Sequence, residues 1–317
     1  MLEIGTQTQN VVYDDCPAEG FDRLKAAGFD CVDFSLNTYL INTQIYKLVI
    51  NDFFRQSVAG LQAYFRPHKE AAATAGIRIH QLHMPYPVYV PHGTKEINAF
   101  LRQEVAPKSL SICAYLGAKY IVVHGFKLRK MLGSEAAEWA ETENFLESVC
   151  PLARKLGLTI CIENIYESSG GGCIIEGPCC DASLAAERID RLNEKYGAEV
   201  LGFCFDTGHA NLLGLDFARF IRTLGPRLKV LHIHDNDGRG DLHQLPFTFA
   251  RTRENRTSTD WAGFIQGLQA IGFRGVLSFE TAPVLRSYPE ELKDAALRMI
   301  AATGRYFGGM IEGEARI

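Results

Sequence analysis

Six segments of the chain each finish on a side chain that can bind a metal ion. In chain order these side chains are His83, His124, Glu163, Asp206, His234 and Glu280. Imidazole nitrogens and carboxylate oxygens together make a mixed site that suits Mn²⁺, Mg²⁺, Co²⁺, Zn²⁺ or Fe²⁺ and disfavours a metal that prefers thiolates. A divalent ion would also offset the repulsion and desolvation of carboxylates buried side by side, which cost roughly several kcal/mol per group. The pattern therefore predicts a divalent-metal site.

This prediction depends on the six residues taken together. A single polar residue at a strand end commonly marks only the place where the chain leaves the core, and a lone histidine is more often a hydrogen-bonded packing residue. Six such residues at the ends of consecutive strands converge on one axis when the strands close into a barrel. The joint pattern favours one shared site over six separate coincidences.

The six segments belong to a repeating order of strands and helices. Predicted strands, rich in β-branched and aromatic residues, cover 2–6, 31–36, 78–84, 120–124, 159–163, 201–206, 229–234 and 276–280. Predicted amphipathic helices cover 17–27, 53–75, 95–116, 135–156, 182–196, 216–224, 261–271 and 289–306. Strands that alternate with helices pair in parallel through right-handed crossovers, and eight such units close a barrel. The predicted fold class is α/β, a single-domain (β/α)8 TIM barrel over residues 1–317.

Composition limits the classes of partner. The net charge of −4 gives no overall attraction to nucleic acid or to an anionic membrane. No apolar run reaches the roughly 18 residues that a membrane span needs. The nine cysteines lie largely in apolar segments, which fits free thiols in a reducing compartment. We expect a cytoplasmic enzyme with a small-molecule substrate, and the sequence leaves open whether the chain forms a homo-oligomer.

Three motifs and a late glutamate carry a resemblance to a known family. They are Ile162-Glu163-Asn164, Phe205-Asp206-Thr207-Gly208-His209-Ala210, His232-Ile233-His234-Asp235-Asn236-Asp237 and Glu280. In order and spacing they resemble the xylose-isomerase-like TIM barrel superfamily, which includes sugar phosphate isomerases and epimerases, ketose 3-epimerases, inosose dehydratases and, as AP endonuclease family 2, endonuclease IV. The resemblance implies a metal-dependent enzyme, for most of these members one that acts on a sugar or polyol.

Similarity to the epimerase-like members implies one metal ion on four ligands. These are Glu163, Asp206, His234 and Glu280. His232 also fits the histidine position, because alternation along a strand puts it on the same side as His234. We favour His234 because Asn236 and Asp237 then fall in the family's register, with His232 one layer deeper in the barrel.

The same resemblance implies a reaction through an enediolate. Glu163 and Glu280 would move the proton beside a carbonyl, and the metal would stabilise the charge that develops. The residues expected to contact substrate are His209, His83, His124 and Arg239. The predicted function is a divalent-metal-dependent isomerase or epimerase of a sugar, sugar phosphate or polyol, with Mn²⁺, Mg²⁺, Co²⁺ or Zn²⁺ as the metal.

Two alternatives stay open on the same scaffold. An inosose-type dehydratase begins with the same proton abstraction and differs in that a hydroxyl group then leaves. An endonuclease IV-like zinc phosphodiesterase would use a longer ligand set, whose counterparts here are His83, His124, His209, Asp241 and His243. Of these, Asp241 and His243, together with His232, could bind additional metal or support its ligands. We rank the nuclease lower because the densest basic cluster, Arg251, Arg253 and Arg256, is interrupted by Glu254.

Overall fold

Eight parallel strands form a nearly closed barrel, which confirms the predicted fold class. The computed structural model describes residues 1–128, 135–168, 172–249 and 259–313. The barrel strands are β1 (Ile4–Gln7), β2 (Cys31–Ser35), β3 (Arg78–His83), β4 (Tyr120–His124), β5 (Thr159–Glu163), β6 (Leu201–Asp206), β7 (Leu228–His232) and β8 (Leu277–Phe279). Consecutive strands pair in parallel from β1 to β7, β8 pairs with β1, and Ile233 bridges to Phe279 where β7 meets β8. All strands therefore end at the same rim.

Helices follow the strands along the chain. The longer ones are Pro17–Ala27, Val58–Ala75, Ala106–Leu116, Glu135–Leu156, Ala182–Tyr196, Phe217–Leu224, Trp261–Ala270 and Glu290–Glu312. Shorter helices cover Asn42–Tyr46, Lys95–Phe100, Thr207–Leu212 and Ala282–Ser287, and 3₁₀ turns cover Leu36–Tyr39, Phe53–Arg55 and Gly225–Arg227. A small antiparallel hairpin after β5 joins Tyr166–Ser168 to Ile174–Glu176. The hairpin and the short helices that follow β2, β6 and β8 were not predicted from the sequence.

Two predicted helices differ from the structure for local reasons. The helix expected from residue 53 begins at Val58, because the Ser57 hydroxyl accepts a hydrogen bond from the Gly60 amide and caps it there. The helix expected over 95–116 is interrupted by a π-helical turn at Leu101–Val105. Pro107 follows this turn and has no N–H to donate, so the wider turn lets the helix continue past it.

Other sequence-based expectations concern thiols and membranes. All nine cysteines are free thiols. Across the described ranges, no helix combines the length and apolarity needed to cross a bilayer.

Side chains inside the barrel stack in layers beneath the rim. One small buried cluster consists of Val122, Cys161, Cys204 and Val230. Side chains along a strand alternate with a period of two. The next inward positions on the same four strands are therefore His124, Glu163, Asp206 and His232. Strand periodicity thus brings polar side chains from four strands together above an apolar floor.

A glycine allows the last long helix to pack closely on the barrel. A Cβ on Gly304 would lie 2.5 Å from Ile4 Cγ2 and 3.0 Å from Phe279 Cε2, both in buried strand residues. Gly308, one turn later on the same helix, has ordinary space, since a Cβ there would lie 3.9 Å from Leu2 Cβ. The close approach at Gly304 therefore holds the helix against β1 and β8.

We predict opposite effects on stability for alanine at these two positions. Gly304→Ala should lower the melting temperature, because overpacking a core costs about 1–3 kcal/mol. Gly308→Ala should leave it unchanged or raise it, because alanine favours a helix over glycine by roughly 0.5–1 kcal/mol. Thermal unfolding of both variants at one scan rate measures this. Equal melting temperatures for the two variants would contradict the packing account.

Candidate metal centre

Four side chains from β5, β6, β7 and the end of β8 meet at the centre of the rim. They are Glu163, Asp206, His232 and Glu280, and one potential ligand atom from each lies within 4.8 Å of those of the others. His232 Nδ1 lies 3.0 Å from Glu280 Oε2 and 3.3 Å from Glu163 Oε1. Glu163, Asp206 and His232 are buried, and only a small part of Glu280 reaches solvent. The group thus brings three carboxylates and one imidazole into a space of a few ångströms.

The buried polar atoms of this group have unused bonding capacity. Both carboxylate oxygens of Glu163 and the Nδ1 of His232 lack a hydrogen-bond partner. Unpaired buried polar atoms are costly and rare in folded proteins. A divalent cation bound by these oxygen and nitrogen atoms would satisfy all of them, so the residues present fit such an ion.

The protonation of the two glutamates supports cation binding. Burial alone would raise the pKa of Glu163, but the nearby imidazoles of His232 and His124 outweigh it and hold that pKa well below its usual range. Burial likewise opposes ionisation of Glu280, yet His232 and His243 lower its pKa. Both glutamates are therefore anionic at neutral pH.

The structure brings His232, rather than the favoured His234, against the two glutamates. β6 and β7 pair with Asp206 opposite His232, so the two side chains enter the barrel at the same level. His234 lies two residues beyond, outside β7. Its Nε2 is 3.0 Å from Asp206 Oδ2 and its ring stacks on His243 at 4.0 Å between centroids. The expected set of Glu163, Asp206, His234 and Glu280 is therefore not brought together, and His232 takes the fourth place.

A second group adjoins the first through Glu163. His124 Nε2 lies 3.2 Å from Glu163 Oε2 and 3.1 Å from His83 Nε2. His83 Nδ1 lies 2.7 Å from the Met84 carbonyl oxygen, which only accepts, so Nδ1 is the donor. Burial lowers the pKa of His124 to about 4, which makes it neutral at pH 7. The two rings and Glu163 therefore bring potential ligand atoms to the same space.

A third group forms on the other side, around Asp241. Its Oδ2 lies 3.3 Å from His209 Nε2 and 3.2 Å from His243 Nε2. Burial would lower the pKa of His209, but the carboxylates of Asp206 and Asp241 outweigh it and raise that pKa well above its usual range. Burial also opposes protonation of His243, yet Asp241 and Glu280 raise its pKa to about 9. Asp241 thus holds two cationic imidazoles at the rim.

Local hydrogen bonds fix the residues that follow β5 and β6. Asn164 donates to the Asp206 carbonyl and accepts from the Asp206 amide, both at 2.9 Å, which joins the ends of the two strands. The Asp206 carboxylate accepts from the His209 amide at 2.6 Å and caps the helix Thr207–Leu212. His209 Nδ1 in turn lies 2.9 Å from the Asn164 carbonyl oxygen. The short helix therefore holds His209 beside Glu163.

A cavity of about 780 Å³ opens above the four-residue group. Of the residues predicted to serve the site, it is lined by His83, His124, Glu163, His209, Asp241, His243 and Glu280. Asp206, His232 and His234 lie beneath its surface. Arg239 is exposed on its loop and does not line the cavity. The basic cluster Arg251, Arg253 and Arg256 lies outside the described residues.

Sequence reasoning missed polar residues from the first two strands. Gln7, the last residue of β1, donates from Nε2 to Glu280 Oε1 at 2.7 Å. Asp33, inside β2, contacts His232 from behind. The position of Gln7 at a strand end was an available signal, whereas Asp33 lies within its strand and shows only as a charged residue in an apolar segment.

Comparisons with known proteins agree with this geometry. Residues 21–302 match the family model described as xylose isomerase-like TIM barrel, which confirms the resemblance inferred from the motifs. A relative from Sinorhizobium fredii, the uncharacterized protein y4fM, is 26% identical over 85% of this chain and 82% of its own.

Solved structures with the same fold include two sugar epimerases. The 3-keto-D-glucoside 4-epimerase YcjR from E. coli has a TM-score of 0.66 at 17% identity, over 96% of this chain and 100% of that one. The D-psicose 3-epimerase from Clostridium cellulolyticum H10 has a TM-score of 0.64 at 14% identity, over 96% and 99%. Identities this low show a shared fold.

We predict that Gly208 is required to keep His234 in place. A Cβ at residue 208 would overlap the His234 imidazole, which is completely buried and cannot retreat because it stacks on His243. Gly208→Ala should therefore lower the stability by about 1–3 kcal/mol, as measured by thermal unfolding. Gly240→Ala is the matched control at the same rim, since its Cβ would lie 3.4 Å from the end of the Leu242 side chain. A Gly208→Ala variant as stable as this control would disprove the requirement.

Proposed function

Because the chain belongs to the xylose isomerase-like TIM barrel family, we propose that it is a divalent-metal-dependent isomerase or epimerase of a small sugar, sugar phosphate or polyol. The main observation behind this proposal is a buried group beneath an open cavity, in which unpaired polar atoms face one another. The group consists of Glu163, Asp206, His232 and Glu280. The sugar epimerases that share the fold support this choice. The nine free thiols support work in the cytoplasm.

In this proposal the four residues hold one ion of Mn²⁺, Mg²⁺, Co²⁺ or Zn²⁺. When bound, the ion supplies a Lewis acid that favours negative charge on neighbouring substrate oxygens. Oxygen and nitrogen ligands suit all four of these metals. His232 replaces His234 in the ligand set because it lies against both glutamates.

The two glutamates at the cavity surface supply the proton chemistry. Glu163 and Glu280 come from β5 and from the end of β8, and both are anionic, so either can remove the proton beside a substrate carbonyl. For an epimerisation, a proton from solvent reaches the opposite face of the enediolate through the second glutamate, and the first glutamate releases the proton it removed to solvent. For an isomerisation, one glutamate carries the proton between neighbouring carbons.

Three histidines complete the proposed substrate site. His209 is cationic and hydrogen-bonded on both sides, so it can stabilise negative charge that develops on a substrate oxygen. His124 is neutral and the His83 Nε2 faces the same space, so both suit hydrogen bonds with hydroxyl groups. Arg239, exposed outside the cavity, has no role in this proposal.

We predict that Glu280→Gln removes turnover while substrate binding largely survives. Glutamine keeps an oxygen for the metal but cannot accept the proton, and general base catalysis contributes about 10²–10⁴-fold to the rate. The measurement is kcat and KM for D-allulose and D-tagatose in Mn²⁺-loaded enzyme, with incorporation of solvent deuterium beside the carbonyl. Glu176→Gln, an exposed glutamate on the hairpin after β5, is the control and should retain full activity.

Two results would change this account. Full activity in metal-loaded Glu280→Gln would reduce Glu280 to a ligand and end the two-glutamate mechanism. Loss of water from the substrate, together with deuterium exchange, would replace the epimerase by a dehydratase, which shares the first step.

A zinc phosphodiesterase is the second candidate, and the two neighbouring groups favour it. His83 and His124 adjoin Glu163, and His209 and His243 share Asp241. Additional ions in these groups would form a multinuclear site, which suits phosphate chemistry. The net charge of −4 argues against it, since binding to a nucleic acid backbone depends on lysine and arginine contacts.

We predict one tightly bound ion per chain and no incision of DNA at abasic sites, even with zinc supplied. The acidic chain offers little attraction for a phosphodiester backbone. Elemental analysis of the purified protein measures the ion content, and a gel assay with a labelled abasic duplex measures incision. His232→Ala is the control for metal dependence. Three ions per chain, with incision that this variant loses, would promote the nuclease over the epimerase.

A further inference from the structure

A second carboxylate lies behind His232, on the side away from the four-residue group. Asp33, in β2, is fully buried, and its Oδ2 lies 3.1 Å from His232 Nε2. The same oxygen accepts a hydrogen bond from Gln81 Nε2 at 3.2 Å, and Oδ1 has no hydrogen-bond partner. Within the described ranges, Asp33 forms no ion pair with a lysine or arginine. His232 and Gln81 are therefore its polar side-chain partners.

The strands are built to produce this pair. The register between β2 and β3 shifts after Val32, so that Val32 faces Ile79 and Asp33 faces Gln81. Such an irregularity inserts an extra residue in one strand and redirects the side chains that follow. Gln81 consequently enters the barrel beside Asp33.

The hydrogen-bonding chemistry of this contact determines the tautomer of His232. A carboxylate only accepts, so the nitrogen that faces Asp33 must carry the hydrogen. With Nε2 protonated, a bound metal ion would take the Nδ1 lone pair in place of a second hydrogen. That Nδ1 is the atom without a partner, 3.0 Å from Glu280 Oε2 and 3.3 Å from Glu163 Oε1. The His83 ring stacks on His232 at 5.5 Å and 14°, which also limits rotation of the imidazole.

We infer that Asp33, itself held by Gln81, is a positioning residue that keeps His232 protonated on Nε2 and so directs its Nδ1 lone pair at the metal. This inference rests on the proposed metal site. Histidines that bind metals commonly donate their other N–H to a carboxylate, and loss of that partner typically lowers metal affinity about 10–100-fold. A carboxylate with a merely structural role in the core would change stability and leave both the tautomer and the metal affinity unchanged.

Asp33→Asn tests the inference with two readouts that need no substrate. Its amide can donate to His232 Nε2 and would then favour the tautomer protonated on Nδ1. We expect the Mn²⁺ dissociation constant to rise about 10–100-fold. In the Zn²⁺-loaded protein, long-range ¹H–¹⁵N NMR on ¹⁵N-histidine-labelled samples should show His232 with its hydrogen on Nε2 in the wild type and not in the variant. The His232→Gln spectrum assigns the signal.

A matched control and a second variant complete the experiment. Asp235→Asn alters another fully buried carboxylate, which is held by Thr259 and backbone amides, and should leave Mn²⁺ affinity and the His232 tautomer unchanged. If Asp33→Asn does not fold, Gln81→Met decides, because it removes the donor to Asp33 at similar volume and should weaken Mn²⁺ binding several-fold.

The outcomes separate this inference from the proposed function. An unchanged tautomer with Mn²⁺ affinity within twofold of wild type in the folded variant would overturn the role of Asp33. If wild-type protein binds no divalent metal, the metal proposal and this inference are both overturned, whereas wild-type binding that Asp33→Asn retains unchanged overturns this inference alone.

Discussion

Repulsion among three buried carboxylates is the constraint on which the arrangement of the rim depends. Glu163, Asp206 and Glu280 meet in a space of a few ångströms with little or no access to water, where like charges and desolvation both oppose folding. The imidazole of His232 lies between them and lowers the pKa values of both glutamates. Their unpaired atoms show that imidazoles alone leave the group incompletely balanced. A bound cation would complete the balance, so the proposed metal binding and the stability of this rim are expected to be linked.

The barrel holds these carboxylates in place although burying them together is energetically costly. Asn164 joins the ends of β5 and β6 through backbone hydrogen bonds, and Gln7 holds Glu280 from β1. Asp33 holds His232 from β2. Supports therefore come from strands or strand ends distributed around the ring, and they fix the positions of the carboxylates. The loops are left to shape the cavity above.

The sequence was sufficient to predict the fold, since the alternation of strands and helices and the strand-end residues are both visible in one chain. The sequence could not decide between His232 and His234 as the ligand, because alternation places both on the same face of the strand. They differ only in depth, by two residues or about 7 Å along the strand. Only the pairing of Asp206 with His232 between β6 and β7 settles their depth. The contact of Asp33 was not predicted for a related reason, because its partner His232 lies 199 residues away in the sequence.

The side chains that line the cavity help to distinguish a sugar-acting enzyme from a phosphodiesterase. The three adjacent groups of potential ligands could hold more than one metal ion, and this feature taken by itself would suit a phosphodiesterase. The far walls, however, consist largely of hydroxyl and amide side chains, which include Asn10, Asn37, Thr38, Tyr39 and Asn42. Among the described lining residues, the lysine and arginine side chains are limited to Lys127 and Arg286. Neutral donors and acceptors match a hydroxylated ligand, whereas a phosphodiester backbone calls for several fixed cations. The chemistry of the walls thus favours a sugar or polyol even where the ligand set alone would permit either reaction.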